Sequence, residues 1–154
     1  MQIIDVCPGL LAAGTSQKSL LVWSLAENKI VHKLRGNGHV STCLVLARPL
    51  LISGGGDACV HVWHLRSAAL LYKLDTCQAW LSCLCVRGNI IIGGDVRGTV
   101  MRWDLQNYSK AGAADNVSPK VVIKMSDAIR ELSLDEFSLK SVSFDSTCNI
   151  IDIW

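Results

Sequence analysis

Ser53, His39 and Asp57 supply the residue types of a nucleophile, its general base and an orienting carboxylate. A hydrolase needs more than the types. Its serine sits in a G-x-S-x-G elbow, with backbone donors ready for an oxyanion. Ser53 lies instead in LLISGGGD, which offers neither. Gly54-Gly55-Gly56 suggests a phosphate cradle, but the G-x-x-x-x-G-K-[ST] pattern of a P-loop is missing. A tight turn ahead of Asp57 accounts for the glycines. Cys83 and Cys85 are separated by one residue, not by the spacing of zinc ligands. On a strand they share a face, where free cysteines act as small core hydrophobes. His61 and His64 would point to opposite faces of a strand, so they cannot share a metal, and His32 stands alone. Satisfied or exposed histidines are the expectation. No paired carboxylates or activated nucleophile emerge. The sequence therefore predicts no enzyme, no cofactor and no metal site.

Composition narrows the class. Half of the 154 residues are hydrophobic and 18% are charged, which excludes long-range disorder. A net charge of +2 argues against a dedicated nucleic-acid binder. Apolar runs such as Ile90–Ile92 and Val121–Ile123 fall far short of the roughly 20 residues of a spanning helix. The N-terminus lacks the layout of a secretory signal. Seven cysteines, an odd number, fit a reducing compartment, cytoplasmic or nuclear.

The elements that must position these residues are written in a repeat. Trp23, Trp63 and Trp103 are spaced by 40 residues, as are Gly14, Gly54 and Gly94. Leu11, Leu51 and Ile91 keep the same register, as do Ile3, Cys43 and Cys83. Each repeat holds short apolar runs closed by glycine and polar turns, too short for helices. Four strands per repeat of this period describe a propeller blade. One such sheet cannot cover both its faces, so blades must stack on their neighbours. The expected fold is all-β: a partial or small β-propeller of about four four-stranded antiparallel blades, near residues 2–35, 40–75, 80–125 and 128–154. Trp154, 51 residues after Trp103, is read as the last blade's tryptophan, with the excess in Asn107–Lys120.

Residues 38–64, GHVSTCLVLARPLLISGGGDACVHVWH, resemble a blade of the WD-repeat family, and the third repeat ends in Trp103-Asp104. The resemblance implies a structural hydrogen-bond tetrad of His39, Ser53, Asp57 and Trp63. Asp57 would accept from His39, His39 would engage Ser53, and Ser53 would reach the Trp63 indole. The other blades depart from this pattern: Ser53 is matched by Ala13 and Gly93, and Asp57 by Gln17 and Arg97. The second blade is therefore expected to be the most rigid.

The resemblance also implies a protein–protein interaction scaffold with protein or peptide partners. Trp80, at the entry to an inner strand, and Arg97, in a turn between middle strands, would open on one rim. Both are favoured types at interface hot spots. Trp63-His64-Leu65-Arg66 is similar to the segment that some family members use to dock on a cullin-RING ubiquitin-ligase adaptor, although His64 replaces the acidic residue. A substrate-receptor role and a nucleic-acid-binding propeller are the alternatives. Rings typically need four to eight blades, so the terminal blades offer edges and faces for self-association.

Overall fold

The computed structural model describes residues 3–35, 39–75, 79–106, 119–135 and 138–152. Fifteen strands are found among them. Blade one holds β1 (Ile3–Cys7), β2 (Leu10–Gly14), β3 (Ser19–Ser24) and β4 (Lys29–Arg35). Blade two holds β5 (Ser41–Ala47), β6 (Leu50–Gly55), β7 (Cys59–His64) and β8 (Ala69–Asp75). Blade three holds β9 (Leu81–Arg87), β10 (Ile90–Asp95), β11 (Thr99–Asp104) and β12 (Lys120–Lys124). The fourth sheet has β13 (Ile129–Leu134), β14 (Ser138–Ser143) and β15 (Cys148–Asp152). Every sheet is an antiparallel meander in chain order. The architecture is all-β and propeller-like.

Register assigns each side chain a face, because alternate residues on a strand point opposite ways. In blade two, Leu51 pairs with Trp63 and Ser53 with His61. That face turns to blade one, where Leu44, Leu46, Leu51 and Trp63 pack on Ala12, Leu20, Val22 and Leu34. The opposite face of blade two, with Ile52, Val60, Val62 and Leu74, packs on Ile91, Met101 and Trp103 of blade three. Blade three covers blade four in turn, through Ile92 and Val100 against Ile129, Leu132 and Leu139. Strands β6 and β10 are therefore buried almost throughout. This explains their unbroken apolar sequences. The inner strands β1, β5, β9 and β13 lie beside one another in that order.

The glycine column has a steric cause. A Cβ on Gly54 would stand 2.7 Å from Leu81 Cδ1, and one on Gly94 would stand 2.6 Å from Ile129 Cβ. On Gly14 it would stand 3.3 Å from Ser41 Cβ. Each glycine makes room for the inner strand of the next blade.

A hydroxyl column reinforces the same seam. Thr42 Oγ1 donates to the Leu81 carbonyl of blade three. Ser82, one repeat later, donates from Oγ to the Ile129 carbonyl of blade four at 2.6 Å. Blade one uses Asp5, whose Oδ2 accepts from Leu46 N at 2.6 Å.

In the fourth blade, Leu139 pairs with Ile151 just as Leu51 pairs with Trp63. Ile151 therefore occupies the tryptophan column, and Trp154 lies outside the described residues. The turn from β14 to β15 repeats the register of the turn from β6 to β7, so counting back from Trp154 overshoots by three positions.

Candidate functional site

The polar side chains of blade two converge on its seam with blade one. Trp63 Nε1 donates to Ser53 Oγ at 3.2 Å, and Ser53 is fully buried. A serine so placed is a structural acceptor and presents no nucleophile to solvent. His39 is exposed, and a Cβ on Gly56 would stand 3.5 Å from its Cβ. The buried imidazole beside Asp57 belongs to His61, whose Nε2 is 3.5 Å from Asp57 Oδ2. Its ring also stacks on Trp63, with centroids 6.1 Å apart and planes 23° from parallel. Neither His61 ring nitrogen has a hydrogen-bond partner among the described residues.

His61 thus departs from the expectation of a satisfied or exposed histidine. The signal was in the repeat register: Leu21 and Met101 occupy the same column, on the face that carries the tryptophan. Burial holds the imidazole below its ordinary value; Asp57 pulls it back up and Lys73 pushes it down further.

The other blades solve the same turn differently. In blade three Gly93 replaces the serine, and Trp103 Nε1 is buried with no hydrogen-bond partner among the described residues. A Cβ on Gly93 would stand 2.9 Å from Leu81 Cδ2 and 3.0 Å from the Trp103 ring, so there is no room for one. The buried Asp95, not the residue matching Asp57, ties this turn, accepting from Arg97 N and Thr99 N at 2.8 Å each. Blade one uses Thr15, whose Oγ1 lies 2.8 Å from Ser19 Oγ. Blade four uses Asp145, which Ser126, Ser143 and Thr147 hold well below the usual carboxylate range. Sequence reasoning missed Thr15 and Asp95, which stand one position past the glycine column, whereas Asp145 stands three past it, in the column of Asp57.

The core cysteines are held as neutral thiols. Burial pushes Cys43 and Cys85 up to about 12 and Cys83 to about 11. Cys83 and Cys85 pack beside the core between blades three and four. Among the described residues, no three His, Cys, Asp or Glu side chains are grouped to hold a metal. No described helix is long and apolar enough to cross a membrane.

One rim carries exposed anchors. Trp80 is 59% exposed and Val96 is 46% exposed, although both are large and apolar. Val96 N donates to the Trp80 carbonyl at 3.0 Å, so the two stand side by side. Arg97, also exposed, follows directly. The structure thus brings Trp80 and Arg97 together. Arg66 is exposed in the turn from β7 to β8, at the opposite end of the strands from the β6–β7 and β10–β11 turns. Near it, His64 Nδ1 lies 2.9 Å from Ser67 Oγ within the same turn.

No family model matches the chain. It is 27% identical over 109 residues to mitochondrial division protein 1 of Eremothecium gossypii, a match over 64% of this chain and 15% of that protein. It is 33% identical over 100 residues to small ribosomal subunit protein RACK1y of Oryza sativa subsp. japonica, over 63% of this chain and 30% of that one. A WD repeat-containing protein of Schizosaccharomyces pombe, srw1, is 24% identical over 123 residues, over 73% of this chain and 22% of that one. The chain thus spans less than a third of the length of these relatives. Among solved structures, the computationally designed Ika8 protein superposes with a TM-score of 0.84 at 22% identity, covering 97% of this chain and 45% of that one. The designed Ika4 protein superposes at 0.81 and 18% identity, covering 98% of this chain and 89% of that one.

Proposed function

The chain is built of WD repeats of the β-propeller kind, and on that premise we propose that it is a non-catalytic protein-interaction scaffold that binds a peptide or domain at the rim of blades two and three. The observation that carries this reading is the exposed Trp80 indole, flanked by Val96 and Arg97. A tryptophan in that state leaves a large apolar area in water, which a partner would cover. Arginine beside it favours a carboxylate on the ligand. Tryptophan and arginine are the residues that most often dominate binding energy. WD-repeat relatives support the scaffold role in general. The cytoplasm or nucleus is the compartment this reading suits.

The test is selection from a random peptide display library on the intact chain. The expected binders carry an apolar anchor beside an acidic residue. Trp80→Ala or Arg97→Ala should weaken them by roughly tenfold or more. Binders indifferent to both substitutions, or none, would overturn the reading. The narrower ubiquitin-ligase role would rest on Arg66 alone, since His64 is turned into its own loop. Arg66→Ala should then abolish adaptor binding. A nucleic-acid role is disfavoured by the small net charge.

A further inference from the structure

Blade three breaks two apolar columns on the face it turns to blade four. Ala12 of blade one pairs with Val22 and Ile52 of blade two with Val62, and both valines are fully buried. In blade three the residue paired with Ile92 is Arg102. Leu10 and Leu50 pair on the inner strand with Cys7 and Ala47, which pack against the seam clusters. In blade three the residue paired with Ile90 is Arg87. Alternation along β9, β10 and β11 puts both arginines on the face of Ile92 and Val100, which pack on the core of blade four. Both are half-buried. The covering blade changes in the same place. Trp63 packs in the cluster of Val22, and Trp103 in that of Val62. The tryptophan column of blade four holds isoleucine, a smaller residue, at Ile151.

A cleft of about 450 Å³ opens here, at the end of the strands opposite Trp80. Arg87, Asn89, Ile90, Arg102, Asp104 and Gln106 line it. Arg87 Nη1 donates to the Asp135 carbonyl of blade four, which ties one wall to the next sheet. Asp104 Oδ1 accepts from Gln106 N at 3.0 Å, which fixes the other. Lys120 follows Arg102 in register on β12. Among these residues, the cations Arg87, Arg102 and Lys120 outnumber the one carboxylate, Asp104. Arginine in place of valine weakens the apolar packing of a seam. Its planar, forked donors suit a carboxylate instead.

We propose that this cleft binds an acidic segment of a partner protein, with a glutamate carboxylate held by Arg87 and Arg102. The lining favours a peptide over a phosphate. A phosphate brings more negative charge against Asp104 and no N–H donor. A peptide brings N–H groups for Asp104 and carbonyls for the amides of Asn89 and Gln106. The methylenes of a glutamate can rest on Ile90. The cleft lies away from the Trp80 rim, so the proposal stands or falls separately from that site.

Fluorescence anisotropy of a labelled hexaglutamate peptide on the intact chain tests it, with hexaglutamine and inorganic tripolyphosphate for comparison. The expected result is saturable binding of hexaglutamate, weakened by added salt, and none of hexaglutamine. Arg102→Val copies the residue type of Val22 and Val62, so the seam can repack. It should weaken binding by roughly tenfold or more, with an unchanged strand circular dichroism spectrum. Arg87→Ala, which copies Ala47, should do the same. Arg48→Ala, at an exposed position on the same end of blade two, should leave binding unchanged. Hexaglutamate that fails to bind, or that binds the Arg102 and Arg87 variants as tightly as the wild type, would overturn the proposal. Binding lost in Arg97→Ala and kept in Arg102→Val would put the peptide on the other rim and overturn it too. So would tripolyphosphate binding that depends on Arg102 where hexaglutamate shows none.

Discussion

Ser53 and His61 show how one side chain sets the chemistry of a seam. Removing the Ser53 hydroxyl leaves the buried Trp63 N–H unpaired, which costs about 1–3 kcal/mol. Ser53→Ala should lower the urea midpoint accordingly. Blade three carries the converse case. Gly93→Ala forces a Cβ against Leu81 and Trp103, and overpacking of this kind costs about 1–3 kcal/mol. His61 makes the fold acid-sensitive. Its pKa is lowered on folding from the ordinary 6.5, so below that pH the unfolded chain binds a proton that the folded chain refuses. Stability is unaffected above this range and falls with pH below it, by at most about 1.4 kcal/mol per pH unit for one group. His61→Met, which copies Met101 in the same column, should flatten the loss between pH 6.5 and lower values. Denaturant midpoints across that range check the sign. A variant as acid-sensitive as the wild type would remove His61 from the account.

At the scale of the strand and blade, the hydroxyl column connects neighbours directly. Thr42→Val keeps the branched shape and loses the bond to Leu81, at a cost of about 1 kcal/mol. Hydrogen exchange at the start of β9 should quicken more than exchange in β1. Much of this level was legible in the sequence. The tryptophan, glycine and leucine columns at a 40-residue spacing gave the strands of three blades, because every blade meets the same neighbour geometry. The fourth blade was harder. Its tryptophan column holds Ile151, its glycine column holds Val142, and its period is stretched ahead of β12. The turn acceptors Thr15, Asp95 and Asp145 were hidden for a different reason. Any short polar side chain near a tight turn can satisfy its amides, so the acceptor moves between the position just past the glycine column, at Thr15 and Asp95, and the column of Asp57, at Asp145. The placement of Trp80 and Arg97 on one rim was what the family resemblance implied from their repeat positions, but what binds there is a property of the partner.

The whole molecule is a graded stack. Middle strands of blades two and three are buried on both faces, whereas blade one exposes Ile4 and Val6 and blade four exposes Phe144 and Ile150. In a repeat stack, stability comes from each repeat plus its interfaces with neighbours. A blade with two interfaces should therefore open last and a blade with one should open first. Native-state hydrogen exchange resolved by strand measures this directly. Amides of β6, β7 and β10 should exchange only through global unfolding, and those of β14 and β15 should exchange orders of magnitude faster. Equal protection across all fifteen strands, or faster exchange in β6 than in β15, would contradict the stacked-blade account.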